Sequence, residues 1–177
     1  MTPRGADLQR LLHTRLSGFE VRALDREGLR RAAVAVAVAE EGHGADLPGL
    51  PQHAQWSDAP ALLLTRRAVT LRNHACQGAL PGGRVDAGET AEKAALRELA
   101  EEVDLVLDAS AVLGRLDDYA TRSGYVITPV VVWAGAARAA QPQEAEVASV
   151  HRIPVAELLR ADAPMLNQGR GAEHPVL

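Results

Sequence analysis

Apolar residues along the chain recur with two spacings, one typical of helices and one typical of buried strands. Residues 7–16 read DLQRLLHTRL, with leucines at helical spacing. Residues 32–39 are an unbroken run of Ala and Val, as expected for a strand that is buried on both faces. A second apolar run, ALLLTRRA, begins at residue 61. The pattern predicts a short N-terminal helix followed by two strands.

The rest of the chain continues this mixture of helix and strand. The further predicted elements are a helix at 90–103, a strand from residue 123 (SGYVITPVVVWAG), a strand at 146–154 and a helix within PVAELLRAD. Pro129 interrupts the first of these strands and predicts a sheet edge or a bulge, because proline cannot donate to a ladder. Residues 41–60 contain Gly, Pro, His and Ser without periodicity and predict a long loop.

These elements predict an α/β (α+β) fold in which a sheet is covered by helices. A chain of 177 residues favours a single domain over residues 1–177.

Composition and charge restrict the function. Aromatic residues are only 3% of the chain and the net charge is −4, so we expect no nucleic-acid partner. Cys76 is the only cysteine, which excludes an internal disulfide and a thiolate zinc site. No run of about 18 apolar residues and no signal peptide is found, so we expect a cytoplasmic enzyme with no membrane partner.

The predicted helix at 90–103 carries an unusual set of charges. On a helical wheel Glu98, Glu101 and Glu102 fall within one arc, while Leu99 and Val103 point to the other side. A solvated acidic face is one interpretation. However, like charges at these spacings repel one another, and hard oxygen ligands presented together suit Mg²⁺ or Mn²⁺. A metal site is therefore the second interpretation.

The spacing around this helix resembles the Nudix box, GX5EX7REUXEEXGU, in which U is aliphatic. The pattern starts at Gly83, continues through Glu89 and ends with RELAEEVDL from Arg97 to Leu105. Every defined position matches except Asp104, where the box has glycine. A glycine there ends the helix in a left-handed conformation, which Asp adopts at a cost of about 1 kcal/mol.

The resemblance implies a Nudix-type α/β/α sandwich with a mixed sheet and a loop-helix-loop metal site. It implies Glu98 and Glu102 as the best ligands for Mg²⁺ or Mn²⁺, with Glu101 next, and Glu89 steadying the loop or joining the metal. Arg97 would orient Glu89 or its neighbours through a salt bridge.

Upstream, LLTRRAVTLRNHACQGALPGG resembles the LLTXR(S/A)X3RX3GX3FPGG pattern of the coenzyme A pyrophosphatases, a Nudix subgroup. Cys76 and Leu80 depart from it, in place of glycine and phenylalanine. With similarities downstream, the resemblance covers about residues 30–160, which we take as the core of the domain. It implies a coenzyme A-like nucleotide substrate. The residues expected to bind this substrate are Arg67, Arg72, Gly82 and Gly83.

The implied reaction is attack of water on a diphosphate phosphorus, with a carboxylate taking the proton. Glu101 and Glu146 are the candidate bases. Coenzyme A, or an acyl or oxidised derivative, would give 3′,5′-ADP and (acyl-)4′-phosphopantetheine.

Two alternatives remain open at this point. One is a Nudix pyrophosphatase for another nucleoside diphosphate derivative, such as ADP-ribose. The other is a Nudix-shaped binding or regulatory module with weakened catalysis. The sequence does not indicate the oligomeric state.

Overall fold

The computed structural model describes residues 3–68 and 77–163, and in these ranges the chain alternates irregularly between strands and helices. The helices are α1 (Gly5–Ser17), α2 (Ala91–Val103), the single turn α3 (Val155–Leu158) and a 3₁₀ turn (Ala109–Ala111). The strands are β1 (Arg30–Gly44), β2 (Gln52–Arg67), β3 (Gly78–Ala79), β4 (Gly82–Arg84), β5 (Val112–Arg115), β6 (Tyr119–Ala120), β7 (Tyr125–Gly135) and β8 (Val147–Pro154).

The strands form one mixed sheet. Its main path is β3-β2-β1-β7-β5, and β4, β6 and β8 pair with β1, β7 and β2 respectively. Strands β1 and β7 run parallel, with Arg30 opposite Tyr125, and the other pairs are antiparallel. The long Ala/Val strand β1 thus lies at the centre, as its composition predicts.

Alternate residues of β1 face two different helices. Ala33, Ala35 and Ala37 pack in the cluster that contains Leu99 and Val103 of α2. On the other face Val36 and Val38 pack with leucines of α1, namely Leu8, Leu12 and Leu16. Because the two helices cover opposite faces of the sheet, the predicted α/β/α sandwich is confirmed.

The predicted loop at 41–60 is wrong. Strand β1 continues to Gly44 and β2 already begins at Gln52, so most of this region is an antiparallel hairpin. The register shifts between Glu40 and Gly42 and again between Gly42 and Gly44. These irregularities interrupt the period-two alternation by which a strand is recognised in a sequence.

Pro129 does not mark a sheet edge, since β7 lies between β1 and β5. Its carbonyl accepts a bond from the Leu116 N–H at 3.0 Å, which shows that its peptide groups face β5 and β6. β6 pairs with β7 up to Ile127 and β5 pairs from Val130 onward. The missing N–H of Pro129 therefore falls at the gap between these two strands.

No helix among the described residues is long and apolar enough to cross a membrane. Arg72 and Cys76 lie outside the described residues.

Candidate active site

Helix α2 directs two carboxylates toward the protein interior. Thr90 caps the helix by accepting a bond from a backbone N–H of the first turn at 3.3 Å. Leu99 and Val103 are fully buried and hold the helix against the sheet. Glu98 and Glu102, one turn apart, are only 9% and 5% exposed. Two buried carboxylates therefore lie side by side.

Arg97 is the hub of the neighbouring ion pairs. Its guanidinium donates to both carboxylate oxygens of Glu89, at 3.1 Å each, to Glu98 at 2.8 Å and to Glu101 at 2.9 Å. It also donates to the carbonyl of Arg84 at 2.9 Å, which ties the helix to β4. The Glu101 side chain is 58% exposed. The guanidinium of Arg97 therefore has no N–H donor left, and none of its bonds goes to Glu102.

The glycines of β4 leave room for the carboxylates. A Cβ at Gly83 would overlap the carboxylate of Glu98, and a Cβ at Gly82 would overlap the carbonyl of Ala33 on β1. The backbone N–H of Gly82 donates to Glu102. At Gly82 a side chain would overlap the backbone of the neighbouring strand, and at Gly83 it would displace the carboxylate of Glu98.

Burial and mutual repulsion make the two inner carboxylates hard to ionise. Burial, together with the neighbouring Glu98 charge, raises the pKa of Glu102 to about 7. Burial also raises the pKa of Glu98, although Arg97 acts in the opposite direction. By contrast, the hydrogen bonds from Arg97 lower the pKa of Glu89. The inner pair has a single bond from Arg97, at Glu98, whereas Glu89 is bound by Arg97 through both of its oxygens.

A cleft of about 750 Å³ opens beside this pair and is called the cleft below. The ionisable residues that line the cleft fall into two groups. One has three acids and one arginine, and the other has two arginines and one tyrosine. The first consists of Glu98, Glu102, Glu146 and Arg67, and the second of Arg30, Arg84 and Tyr125.

Arg67 lies at the end of β2, on the acidic side of the cleft. Its Nε atom is buried and has no hydrogen-bond partner among the described residues. Buried donors are nearly always paired, so an orphaned one in a cleft is a place where a ligand acceptor would bind.

The C-terminus of α2 is closed by Asp104 in the left-handed conformation, at φ 52° and ψ 32°. Its carboxylate accepts a bond from the Gln141 side chain at 2.8 Å, and the Gln141 backbone N–H donates to the Val103 carbonyl at 3.0 Å. The substitution of glycine by Asp thus keeps the expected helix end and adds a contact to the loop before β8.

The same loop carries Glu146. The Gln143 N–H donates to the Glu102 carbonyl, and the Gln143 carbonyl accepts from the Glu146 N–H, both at 3.0 Å. The Glu146 carbonyl in turn accepts from the Ala68 N–H at 2.9 Å, next to Arg67. Glu146 is therefore fixed by backbone bonds to the helix of the inner carboxylates and to the strand of Arg67.

Within residues 3–68 and 77–163, no three acidic, histidine or cysteine side chains converge as a ready-made set of metal ligands. Glu98 and Glu102 nevertheless suit a hard cation, because Mg²⁺ keeps several waters and binds through only one or two protein carboxylates. The fit follows from the donor set, which is two buried, mutually repelling carboxylates with raised pKa values.

The structure brings together part of the site predicted from the sequence. The predicted residues that line the cleft are Glu98, Glu102, Glu146, Arg67, Gly82 and Gly83. Glu89 and Glu101 are held by Arg97 and do not line the cleft. The roles of all these residues stay predictions, as does that of Arg72.

Sequence inspection missed the basic group, Arg30, Arg84 and Tyr125. They come from three strands that are distant in sequence and adjacent only through their register, with Arg30 opposite Tyr125 and Ala32 opposite Arg84. The one local signal was charge at the start of the Ala/Val strand.

The chain was compared with known families, sequences and structures. The NUDIX domain family matches residues 52–171. The relative named uncharacterized Nudix hydrolase NudL from Cronobacter sakazakii is 42% identical over 120 residues, covering 66% of this chain and 62% of the relative. NudL of Escherichia coli K12 is 40% identical, with the same coverage. The chain thus spans less than two thirds of the length of these relatives.

Two solved structures share the fold. A Nudix hydrolase from M. smegmatis, RenU, has a TM-score of 0.52 at 25% identity and covers 75% of each chain. The MutT protein from Methanosarcina mazei Go1 has a TM-score of 0.51 at 17% identity, covering 80% of this chain and 84% of that one.

Proposed function

We propose, from the premise that this chain belongs to the NUDIX domain family, that it hydrolyses the diphosphate bond of coenzyme A or its acyl or oxidised derivatives. The products would be 3′,5′-ADP and (acyl-)4′-phosphopantetheine. The observation that carries the proposal is the pair of buried carboxylates, Glu98 and Glu102, facing a cleft that also contains the orphaned donor of Arg67.

Glu98 and Glu102 would hold Mg²⁺ or Mn²⁺. When bound, such a cation supplies charge stabilisation for the diphosphate oxygens and favours ionisation of water. The chain's own part is to keep Glu102 out of the ion pairs that Arg97 makes. Arg97 reaches Glu98 but not Glu102, and its other partners, Glu89 and Glu101, keep it anchored beside the site.

Glu146 is the better placed of the two candidate bases. It lines the cleft beside the inner carboxylates, whereas Glu101 is bound to Arg97 and does not line the cleft. Glu146 would take a proton from water as the water oxygen bonds to one phosphorus. The bond from that phosphorus to the bridging oxygen breaks, and the second phosphate leaves with the bridging oxygen.

Arg67 would bind a non-bridging phosphate oxygen through its unpartnered Nε–H. A guanidinium suits a phosphate because it offers several hydrogen-bond donors in a fixed plane. Arg67 also belongs to the stretch that resembles the coenzyme A pyrophosphatases, and this resemblance is the reason for choosing coenzyme A over other diphosphates.

The test is a substrate panel with Mg²⁺ or Mn²⁺, in which the nucleotide products of each substrate are quantified by chromatography, 3′,5′-ADP being the product expected from coenzyme A. Coenzyme A, ADP-ribose, a dinucleoside polyphosphate and a nucleoside triphosphate are compared at equal concentration. The highest kcat/KM is expected for coenzyme A or an acyl derivative. Turnover of ADP-ribose with no product from coenzyme A would overturn the substrate, and binding of metal and nucleotide without any turnover would support the regulatory alternative.

A further inference from the structure

We infer that Arg30, Arg84 and Tyr125 form a second anion subsite in the cleft, which binds a phosphate monoester carried by the substrate in addition to its diphosphate. The inference rests on the proposed function, since it assigns which part of the substrate lies away from the inner carboxylates. These three residues are called the arginine–tyrosine cluster below.

The register of three strands brings the cluster together. Arg30 of β1 lies opposite Tyr125 of β7, and Ala32 of β1 lies opposite Arg84 of β4. Residues 30 and 32 are two apart on one strand, so their side chains share a face. Arg30, Arg84 and Tyr125 therefore project from the same side of the sheet, and all of them line the cleft.

The ring of Tyr125 holds two cations at once. The Arg30 guanidinium lies 4.2 Å from the ring centroid and that of Arg84 lies 5.8 Å from it. Arg84 Nε also donates to the Tyr125 hydroxyl at 3.0 Å. Cation–π contact explains why each arginine lies on the ring. It does not explain why two like charges share one ring.

No acidic side chain within the described ranges forms a salt bridge with either arginine. The further contact of Arg30 is a long one, 3.5 Å, to the Ser123 carbonyl. Two adjacent cations without a counter-charge favour an anion that both can contact, and paired guanidinium groups match the oxygens of a phosphate monoester.

The spacing along β1 fits a substrate that reaches both the inner carboxylates and the arginine–tyrosine cluster. Val34 lies opposite Gly82, whose N–H donates to Glu102. Arg84 is two residues beyond Gly82 and Arg30 is four residues from Val34, so the cluster lies roughly 7 to 13 Å along the strands from the inner carboxylates. A monoester on the sugar of a nucleotide diphosphate would lie beside the diphosphate in this way.

The test compares two substrates that differ only in the monoester, coenzyme A and dephospho-coenzyme A. The unmodified protein is expected to prefer coenzyme A in kcat/KM. Arg30→Gln and Arg84→Gln are each expected to reduce this preference about ten- to a hundredfold, the size of one charge-assisted hydrogen bond. Arg122→Gln is the control, because Arg122 is exposed and does not line the cleft.

Equal losses with both substrates, or no preference in the unmodified protein, would overturn the subsite. Calorimetric binding of 3′,5′-ADP and 5′-AMP separates this outcome from failure of the proposed function. If no diphosphate is hydrolysed, tighter binding of 3′,5′-ADP that is lost in Arg30→Gln still supports the subsite. Equal binding of the two nucleotides, or binding of neither, overturns it.

Discussion

Among the described residues, two of the places where carboxylates are buried differ in their surroundings. Glu41, on the β1–β2 hairpin, is 8% exposed; its Oε2 lies 2.8 Å from His53 Nε2 and accepts from the Ser57 hydroxyl at 2.9 Å. Glu98 and Glu102 are similarly buried but lie against each other; Glu98 has one arginine, which it shares with Glu89 and Glu101, and Glu102 has a backbone N–H. Burial alone therefore does not identify a site; burial without sufficient partners does.

The largest expected effect is a loss of activity on substitution of an inner carboxylate, which we do not expect at Glu41. Glu102→Gln should reduce kcat by about a thousandfold, because it removes a charge that we propose holds the metal during diphosphate hydrolysis. Steady-state assays with coenzyme A and Mg²⁺ measure this loss. Glu92→Gln on the same helix is the control, since Glu92 pairs with Arg115 outside the cleft. Full activity of Glu102→Gln would show that this buried carboxylate is not needed for catalysis.

The next effect is on stability and depends on pH. The folded-state pKa of Glu102 is raised from 4.5 to about 7, so between these values the folded protein binds more protons than the unfolded chain. The associated stability is present below pH 4.5 and falls as pH rises to 7, by roughly 3 kcal/mol. Urea unfolding at pH 5 and pH 8 in EDTA measures it.

Glu102→Gln is the comparison variant in the same experiment. It should lack this part of the pH dependence, and added Mg²⁺ should stabilise the unmodified protein at pH 8 more than the variant. An identical pH dependence in both proteins would show that Glu102 is ionised as easily as an exposed glutamate.

Glu41→Gln tests the other carboxylate. We expect a loss of about 1 to 3 kcal/mol in the free energy of unfolding, because a neutral amide oxygen accepts more weakly from His53 and Ser57 than the charged carboxylate oxygen does. Coenzyme A turnover per folded molecule should stay within about twofold. Denaturant unfolding and an activity assay on the same preparation decide the matter, and a large fall in kcat would place Glu41 in the catalytic machinery.

The smallest effect concerns the end of α2. Asp104→Gly relieves a left-handed non-glycine residue, worth about 1 kcal/mol, but removes the bond to Gln141, worth a similar amount. The net change in unfolding free energy should be under about 1 kcal/mol. Asp104→Ala keeps the strain without the bond and should be clearly less stable than either. Equal stability of all three proteins would contradict this account.

Local patterns predicted the elements whose causes are local. Helix α2, its Thr90 cap and the left-handed Asp104 follow from residues that are neighbours in the chain. The wheel also placed Glu98, Glu101 and Glu102 on one arc. It did not distinguish Glu101, which pairs with Arg97 at the surface, from the two buried carboxylates, because that difference depends on how the helix lies against β4.

What the sequence did not predict depends on pairing across the sheet. The arginine–tyrosine cluster exists because a parallel register places residue 30 opposite residue 125. The hairpin within 41–60 was not predicted because its hydrogen-bond ladder is irregular. The position of Pro129 inside the sheet was not predicted because the gap between β5 and β6 accommodates its missing N–H. Register is a property of the assembled sheet, and one strand read alone does not contain it.

The link between Glu102 and Glu146 runs through the backbone of Gln143, which donates to one residue's carbonyl and accepts from the other's N–H. Neither bond uses a side chain, so both remain available with almost any residue at position 143. Proline is the exception, because it has no N–H to give to the Glu102 carbonyl. The backbones of the two residues are thus linked through main-chain groups alone, and a test of this link by side-chain substitution at position 143 would not disturb it.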